Sequence, residues 1–206
     1  MSDLPLLRAG GLTAVRDRRI LFRGLALTVM AGELLRIEGA NGAGKTTLLR
    51  ILCGLDQDFE GELAWPQAQA AERPWRGDVL YLGHLPGLKP ALTAEENLDW
   101  LCRLRERAPR TTLRDALARV GLRGCEDIPV SALSAGQRRR VALARLHLED
   151  APLWVLDEPF TAIDRNGVAA LEDVLAAHVD AGGSVIVTTH HVLGLHTRNL
   201  TLGAAA

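Results

Sequence analysis

Four short apolar segments of the chain are separated by turns and by stretches of helical periodicity. They cover residues 33–38, 79–82, 153–156 and 185–189. Their length and their content of Leu, Val and Ile predict buried strands. Because these strands alternate with helices, we expect an α/β protein with a largely parallel sheet that is covered on both faces.

Apolar residues recur at helical spacing directly after the first glycine-rich turn, in residues 45–55. Residues 93–104, 113–120 and 135–148 show the same periodicity between the second and third predicted strands, which predicts a mostly helical insert beside the sheet. Looser alternation in residues 6–29 predicts a small antiparallel sheet.

The composition of the 206-residue chain narrows the classes of function. The length allows one domain, and 48% hydrophobic against 24% charged residues favours a folded core. A formal net charge of -1 provides no basic excess for binding a nucleic acid. The chain has no long apolar run and no secretory signal pattern, so we expect no direct insertion into a membrane. Cys53, Cys102 and Cys125 form no CxxC pair, which predicts reduced thiols.

Lysine is rare in this chain. Of the 24 basic residues, 22 are arginine, and the lysines are Lys45 and Lys89. Such a bias is typical of a coding genome rich in G and C. At each of the two lysines we therefore look for a chemical reason why arginine would not serve. The surroundings of Lys45 supply a chemical reason, whereas the sequence supplies none for Lys89.

Residues 39–46 read GANGAGKT and match the pattern G-x-x-x-x-G-K-[ST] between a predicted strand and a predicted helix. Glycines let successive backbone N–H groups point at phosphate oxygens, and the helix N-terminus adds its positive end. The Lys45 ammonium suits the β- and γ-phosphates better than a planar guanidinium, and the Thr46 hydroxyl is a ligand for Mg²⁺. The predicted nucleotide-binding residues are Gly39, Ala40, Asn41, Gly42, Ala43, Gly44, Lys45, Thr46 and Thr47.

Two acids follow the third predicted strand, at Asp157 and Glu158. Ligands of open α/β sheets bind at the carboxyl ends of the strands, where these acids stand. Asp157 is placed to hold Mg²⁺, and Glu158 is placed to orient or deprotonate an attacking water. Together with the phosphate loop they predict hydrolysis of a nucleotide.

A third motif, Ser134-Ala135-Gly136-Gln137, precedes a predicted helix. Without further knowledge, Ser134 is equally well explained as the N-cap of that helix. The arginines at 138–140, and those at Arg103, Arg105 and Arg107, are interpreted as solvated helix faces.

The three motifs together resemble the ATP-binding subunits of ABC transporters over nearly the whole chain. The resemblance implies a single P-loop NTPase domain, residues 1–206, with a RecA-like parallel sheet. It also implies a small N-terminal antiparallel β subdomain and a helical ABC subdomain at approximately residues 90–150. The cofactors would be ATP and Mg²⁺, and the activity would be ATP hydrolysis coupled to transport.

The resemblance also implies roles for single residues. Two subunits would face head to tail as a homodimer, with Ser134, Gly136 and Gln137 of one subunit completing the ATP site of the other. Asp164, in the segment FTAID, would lie at that interface. His190 would be the switch histidine that senses the γ-phosphate and positions Glu158.

Two positions depart from the family pattern. His84 stands where the family has a glutamine that contacts metal and water, so it is either a metal ligand or a coupling element. The aromatic residue that often stacks on adenine in the family would fall near Arg16 or Asp17, where this sequence has no aromatic residue. His147, His178, His191 and His196 are interpreted as ordinary surface or packing histidines.

Within the family, the sequence blocks around these motifs resemble the ATPases that handle haem in c-type cytochrome biogenesis. That likeness implies integral membrane transporter subunits as partners and a peripheral location on the cytoplasmic side of the inner membrane. Residues 84–94 would form the surface on which a partner docks. The alternatives are another ABC exporter, a soluble ABC ATPase of translation or repair, and a plain P-loop kinase or GTPase. The single short cassette and the signature-like segment disfavour the last two.

Overall fold

A computed structural model describes residues 4–104 and 108–203. In chain order the strands are β1 (Leu7–Arg16), β2 (Arg19–Val29), β3 (Leu34–Glu38), β4 (Glu60–Ala64), β5 (Val79–Leu82), β6 (Leu153–Asp157), β7 (Ser184–Thr188) and β8 (Arg198–Thr201). The α-helices are α1 (Lys45–Leu52), α2 (Pro66–Ala70), α3 (Ala94–Leu104), α4 (Leu113–Arg119), α5 (Ala135–Leu143), α6 (Arg145–Leu148) and α7 (Arg165–Asp180). Short 3₁₀ helices span Trp75–Asp78 and Val130–Ala132.

The main sheet has five parallel strands in the order β5-β6-β7-β3-β8. All four predicted strands belong to it, which confirms the α/β prediction. Side chains alternate between its faces: Leu153 and Val155 of β6 join one buried cluster, and Trp154 and Leu156 join the other. Both faces are buried, as a parallel sheet requires, and the carboxyl ends of β3, β6 and β7 share one edge.

The predicted antiparallel sheet near the start of the chain is also present. Strands β1 and β2 pair antiparallel, and β4 pairs with the other edge of β1. The third strand was not predicted because residues 60–64 carry little apolar alternation.

The helices α3 to α6 follow β5 and share a buried cluster of their own, which includes Leu98, Leu117 and Val141. The prediction of one helix over 135–148 was wrong, because α5 ends at Leu143 and α6 begins at Arg145. The prediction of a helix to residue 55 was too long, because Gly54 takes a left-handed backbone with φ of 63° after α1. Helix α7 and strand β8 were not predicted.

Within residues 4–104 and 108–203, no helix is both long and apolar enough to cross a membrane.

Candidate functional site

A cavity of about 520 Å³ lies at the carboxyl edge of the main sheet. Its lining includes the loop between β3 and α1, the ends of β6 and β7, and the segment after β5. The predicted site residues in its wall are Ala40, Asn41, Gly42, Gly44, Lys45, Thr46, Thr47, His84, Asp157, Glu158 and His190. Residues that are remote in sequence therefore meet in one place.

The glycines of residues 39–46 give this loop its shape. Gly44 has φ of 93° and precedes the first residue of α1. A Cβ atom there would lie 2.9 Å from the Cβ of Leu21, so both conformation and space favour glycine. The loop thus leads directly into the amino end of α1, where free N–H groups form an anion site.

Lys45 is held inside this loop. Its Nζ atom donates hydrogen bonds to the backbone oxygens of Gly39 at 2.7 Å and Ala40 at 3.3 Å. The ammonium is therefore positioned by the segment that carries it, and it stands beside the N–H groups that would surround a phosphate.

Asp157 ends β6 and is buried. Its Oδ2 accepts a hydrogen bond from the hydroxyl of Thr46 at 2.8 Å, and its Oδ1 accepts one from the hydroxyl of Thr188 at 2.6 Å. The carboxylate is locked in one orientation by α1 on one side and β7 on the other. Thr46 and Asp157 thus present adjacent oxygens, which is the ligand type that Mg²⁺ prefers.

Glu158 follows directly but is held differently. Its backbone lies in the left-handed region with φ of 50°, a conformation that costs a residue with a side chain on the order of 1 kcal/mol. Its N–H points at the backbone oxygen and the hydroxyl of Thr188, each at 3.0 Å. Its Oε1 lies 3.5 Å from Nε2 of the exposed His190. The Glu158 carboxylate therefore faces a histidine ring that is 69% exposed.

His84 and Arg16 stand at the border of the cavity. His84 is exposed, and its backbone oxygen lies 3.4 Å from a guanidinium nitrogen of Arg139. Arg16 pairs with Asp56 at 2.7 Å and Asp58 at 3.0 Å. The Arg16 guanidinium holds the pKa of the Asp56 carboxyl below its usual range. Among the described residues that line the cavity there is no Phe, Tyr or Trp, in agreement with the sequence at the expected adenine position.

The interpretation of the arginine triplet as a solvated face was wrong for Arg139. This side chain is only 4% exposed and donates hydrogen bonds to five backbone oxygens. Burial lowers the pKa of its guanidinium, an effect that Asp157 and Glu158 oppose. A sequence signal existed, because positions 139, 142, 143 and 146 form one helical stripe whose other members are apolar.

The signature-like segment lies away from this cavity in the single chain. Ser134 caps α5 by accepting a hydrogen bond from the N–H of Gln137 at 3.1 Å, and the Gln137 side chain accepts one from the Ser134 N–H at 2.9 Å. A Cβ at Gly136 would lie 2.6 Å from the oxygen of Ala162, so the start of α5 packs tightly against the 160–164 segment. Neither Ser134, Gly136 nor Gln137 lines the cavity.

The segment at Asp164 is anchored to the same helix. Asp164 caps α7 and accepts a hydrogen bond from Arg140 at 2.6 Å. The hydrogen bond from the Gly167 N–H and the pairing with Arg140 lower the pKa of the Asp164 carboxyl. Arg103 is exposed and pairs with Asp99, as a solvated face would, whereas Arg105 and Arg107 lie outside the described residues.

The remaining histidines and Lys89 lie outside the cavity. His178 stacks on Trp154 with ring centres 3.7 Å apart, and burial lowers the pKa of both His178 and His147. His191 lies 3.2 Å from Glu172, and His196 is exposed. The ammonium of Lys89 lies 3.9 Å from the ring centre of Trp100, which gives the second lysine a packing role that the sequence did not reveal.

The chain is similar to known proteins of one family. The family model of ABC transporters matches residues 22–161. The cytochrome c biogenesis ATP-binding export protein of Pseudomonas putida KT2440 is 53% identical over 189 residues, which cover 91% of this chain and 90% of that protein. The protein of the same name from Methylococcus capsulatus is 50% identical over 196 residues, with 94% of each chain covered.

Solved structures show the same fold. A dimeric bacterial ABC transporter cassette has a TM-score of 0.82 at 24% identity, covering 95% of this chain and 94% of that one. A dimeric post-hydrolysis cassette bound to ADP and Pi has a TM-score of 0.75 at 24% identity, covering 90% and 88%. From the matched family, the identity over most of the length and the shared fold, the chain belongs to the ABC transporter family and, within it, to the cytochrome c biogenesis ATP-binding export proteins.

Proposed function

We propose that this chain binds and hydrolyses ATP as a subunit of a membrane transporter of c-type cytochrome biogenesis. The observation that supports the proposal most is the convergence of Lys45, Asp157, Glu158 and His190 on one cavity from three separate strands. The names of the relatives, which are ATP-binding export proteins of cytochrome c biogenesis, support the same biological process.

The phosphate loop is the binding half of the proposed site. The N–H groups of residues 39–47 and the ammonium of Lys45 would bind the β- and γ-phosphates of ATP. Lys45 would exchange its hydrogen bonds to the loop oxygens of Gly39 and Ala40 for phosphate oxygens, so it is already close to its working position.

Mg²⁺ fits the residues that are present. Thr46 and Asp157 offer two oxygen ligands, and the described residues contain no cluster of three or more His, Cys, Asp or Glu that could hold a metal alone. An ion with few protein ligands suits a site that is completed by phosphate oxygens and water. When bound there, Mg²⁺ would neutralise charge on the phosphates. The imidazole of His84 is a poorer match to Mg²⁺, so we assign His84 to coupling rather than to the metal.

Hydrolysis would depend on Glu158 and His190. Glu158 would accept a proton from the water that attacks the γ-phosphorus, and ADP and inorganic phosphate would leave. His190, 3.5 Å from the Glu158 carboxylate, would hold that carboxylate and contact the γ-phosphate. The exposed position of His190, at 69% of its side chain, is suited to a site that closes only when a second subunit arrives.

The dimer would supply the missing face. Ser134, Gly136 and Gln137 lie at the amino end of a helix and outside the cavity of their own chain. A head-to-tail homodimer would place this helix end against the γ-phosphate of the partner subunit, where N–H groups and the helix dipole favour negative charge.

Transport would require membrane partners. We place the chain on the cytoplasmic side of the inner membrane, bound to integral membrane subunits through residues 84–94, where Leu85 is 81% exposed. Haem is the proposed cargo, by resemblance to the ATPases that handle haem in cytochrome maturation.

A Glu158→Gln variant tests the proposal. Removing the base should lower ATP hydrolysis by about 100- to 1000-fold while ATP binding and ATP-dependent dimerisation persist. Purified from native membranes, the variant should carry along the membrane subunits of cytochrome maturation, and a bound chromophore would identify haem by its absorption spectrum.

Glu62→Gln provides the control, because Glu62 is exposed on β4 and does not line the cavity. It should hydrolyse ATP at the wild-type rate. Hydrolysis by Glu158→Gln at that same rate would contradict the assignment of the catalytic base, and co-purification of ribosomes or repair proteins would contradict the assignment to a transporter.

A further inference from the structure

Arg139 connects the segment after β5 with the segment after β6, and both segments contribute residues to the cavity. Its Nη1 donates hydrogen bonds to the backbone oxygens of Gly83 at 2.8 Å and His84 at 3.4 Å, in the segment after β5. Its Nη2 donates to those of Asp157 at 2.9 Å and Glu158 at 2.8 Å, after β6. The Nε atom donates to the Pro159 oxygen at 3.3 Å.

All five of these acceptors are backbone oxygens. Among the described residues, no carboxylate oxygen accepts a hydrogen bond from Arg139. A buried cation of this kind is costly, so the surrounding carbonyl groups must offset its lost hydration. Arginine alone offers a planar fork of five N–H donors, whereas glutamine offers two donors and lysine offers three from a single point. The five N–H donors of arginine thus match the five backbone oxygens that surround this side chain.

These contacts act on the backbone of Glu158. The left-handed conformation of this residue is held from its N–H side by Thr188 and from its carbonyl side by Arg139. Because Arg139 also bonds the Asp157 oxygen, the peptide groups on both sides of the Glu158 Cα are fixed. The direction in which the Glu158 side chain leaves the backbone is set by those two groups.

We propose that Arg139 is a positioning residue for ATP hydrolysis, holding the Glu158 backbone in its left-handed conformation and tying it to the loop at Gly83 and His84. The inference rests on the proposed role of Glu158 as the base. Arg139 would not contact the nucleotide, because it is buried beneath the loops and does not line the cavity. It would therefore act on the chemical step and not on ATP binding.

The test compares Arg139→Gln and Arg139→Lys with wild type in the complex with its membrane subunits. We expect Arg139→Gln to lower kcat by about 100-fold with the ATP dissociation constant changed less than about threefold, since misplacing a reacting group affects the chemical step. Arg139→Lys keeps the buried charge and most of the volume, so it should fold and lower kcat by about 10-fold.

Arg145→Gln is the matched control for stability. Arg145 lies next to α5 with its side chain 12% exposed. It bonds Glu149 at 2.6 Å and the Tyr81 oxygen at 3.4 Å, and within the described part of the chain none of its bonds is to residues 157–159. The midpoint temperature of thermal unfolding should fall for Arg145→Gln as it does for Arg139→Gln. The kcat of Arg145→Gln, measured at a temperature where all variants are folded, should stay near wild type.

A double variant separates positioning from a general structural effect. If Arg139 acts through Glu158, then adding Arg139→Gln to Glu158→Gln should lower the residual single-turnover rate by less than about twofold. Three results would each overturn the inference. The first is a double variant whose rate falls by the product of the two single losses. The second is a kcat of Arg139→Gln no lower than that of Arg145→Gln, and the third is a rise in its ATP dissociation constant as large as its fall in kcat. A wild-type complex without hydrolysis would overturn the proposed function and the inference together, whereas an active wild type with active Arg139 variants would overturn the inference alone.

Discussion

The binding half and the hydrolytic half of the cavity are built in different ways. In the binding half, residues 39–47 form one continuous segment, and Lys45 is held by oxygens only five and six positions away. In the hydrolytic half, Glu158 and His190 come from two different strand ends, and their side chains meet at 3.5 Å with His190 69% exposed.

The difference indicates how each step is controlled. A loop that carries its own cation can bind phosphate in a single chain, because the hydrogen bonds that hold its ammonium come from the loop itself. The hydrolytic half depends on contacts between remote segments, so it responds to anything that shifts those segments. We therefore expect substitutions in the first half to affect ATP affinity and substitutions in the second to affect kcat.

The two lysines offer the strongest test of the binding half. Lys45→Ala should raise the ATP dissociation constant about 100-fold or more, because it removes charged hydrogen bonds to the phosphates. Lys89→Ala is the control, since Lys89 packs over Trp100 outside the cavity. Equilibrium binding of a fluorescent ATP analogue measures both. Tight binding by Lys45→Ala would remove the distinction between the two halves.

Substitution of His190, in the hydrolytic half, should affect kcat rather than ATP affinity. His190→Ala should lower kcat by about 100-fold and leave ATP affinity within about threefold, because His190 touches the base and not the phosphate loop. His196→Ala, at an exposed site outside the cavity, serves as the control. A loss of ATP affinity larger than the loss of kcat would place His190 in the binding half.

Thr188 contacts Glu158 and reaches the binding half through Asp157, which also bonds Thr46, so a substitution there should show a smaller, mixed effect. Thr188→Val removes the hydroxyl that donates to Asp157 at 2.6 Å, which should lower the free energy of unfolding by about 1–3 kcal/mol and kcat by about 10-fold. Ser184→Ala is matched to it, because Ser184 donates from the other end of β7 to the Met30 oxygen at 2.8 Å. If Ser184→Ala lowered kcat equally, the effect of Thr188 would be one of sheet stability alone.

Much of the fold was predictable because its patterns are local. The four strands of the main sheet are continuous apolar runs, and the phosphate loop is a contiguous motif between a strand and a helix. The prediction failed where periodicity alone does not reveal an interruption, as between α5 and α6. It also missed β4, whose residues Glu60–Ala64 form an edge strand with little apolar content.

In the candidate site, too, the local motifs were predictable and the contacts between remote segments were not. The glycine-rich loop and the acidic pair Asp157 and Glu158 were recognisable from residue type and spacing, and the structure brings them together in the cavity. The orientation of each side chain was not recognisable, because the hydrogen bonds of Asp157 to Thr46 and Thr188 span 111 and 31 positions. Arg139 was misread because its charge predicts exposure, whereas the packing of α5 places that one position of the triplet inside.

Sequence by itself determined the phosphate loop, the strand that ends in Asp157 and Glu158, and the reason for one of the two lysines, since each depends on residues that are neighbours in the chain. Tertiary structure alone decided that Ser134 lies outside its own cavity, that Lys89 packs on Trp100, and that Arg139 holds the backbone of Glu158. The physical reason is that a hydrogen bond or a buried charge is defined by what surrounds it, and those surroundings come from segments that only folding brings together.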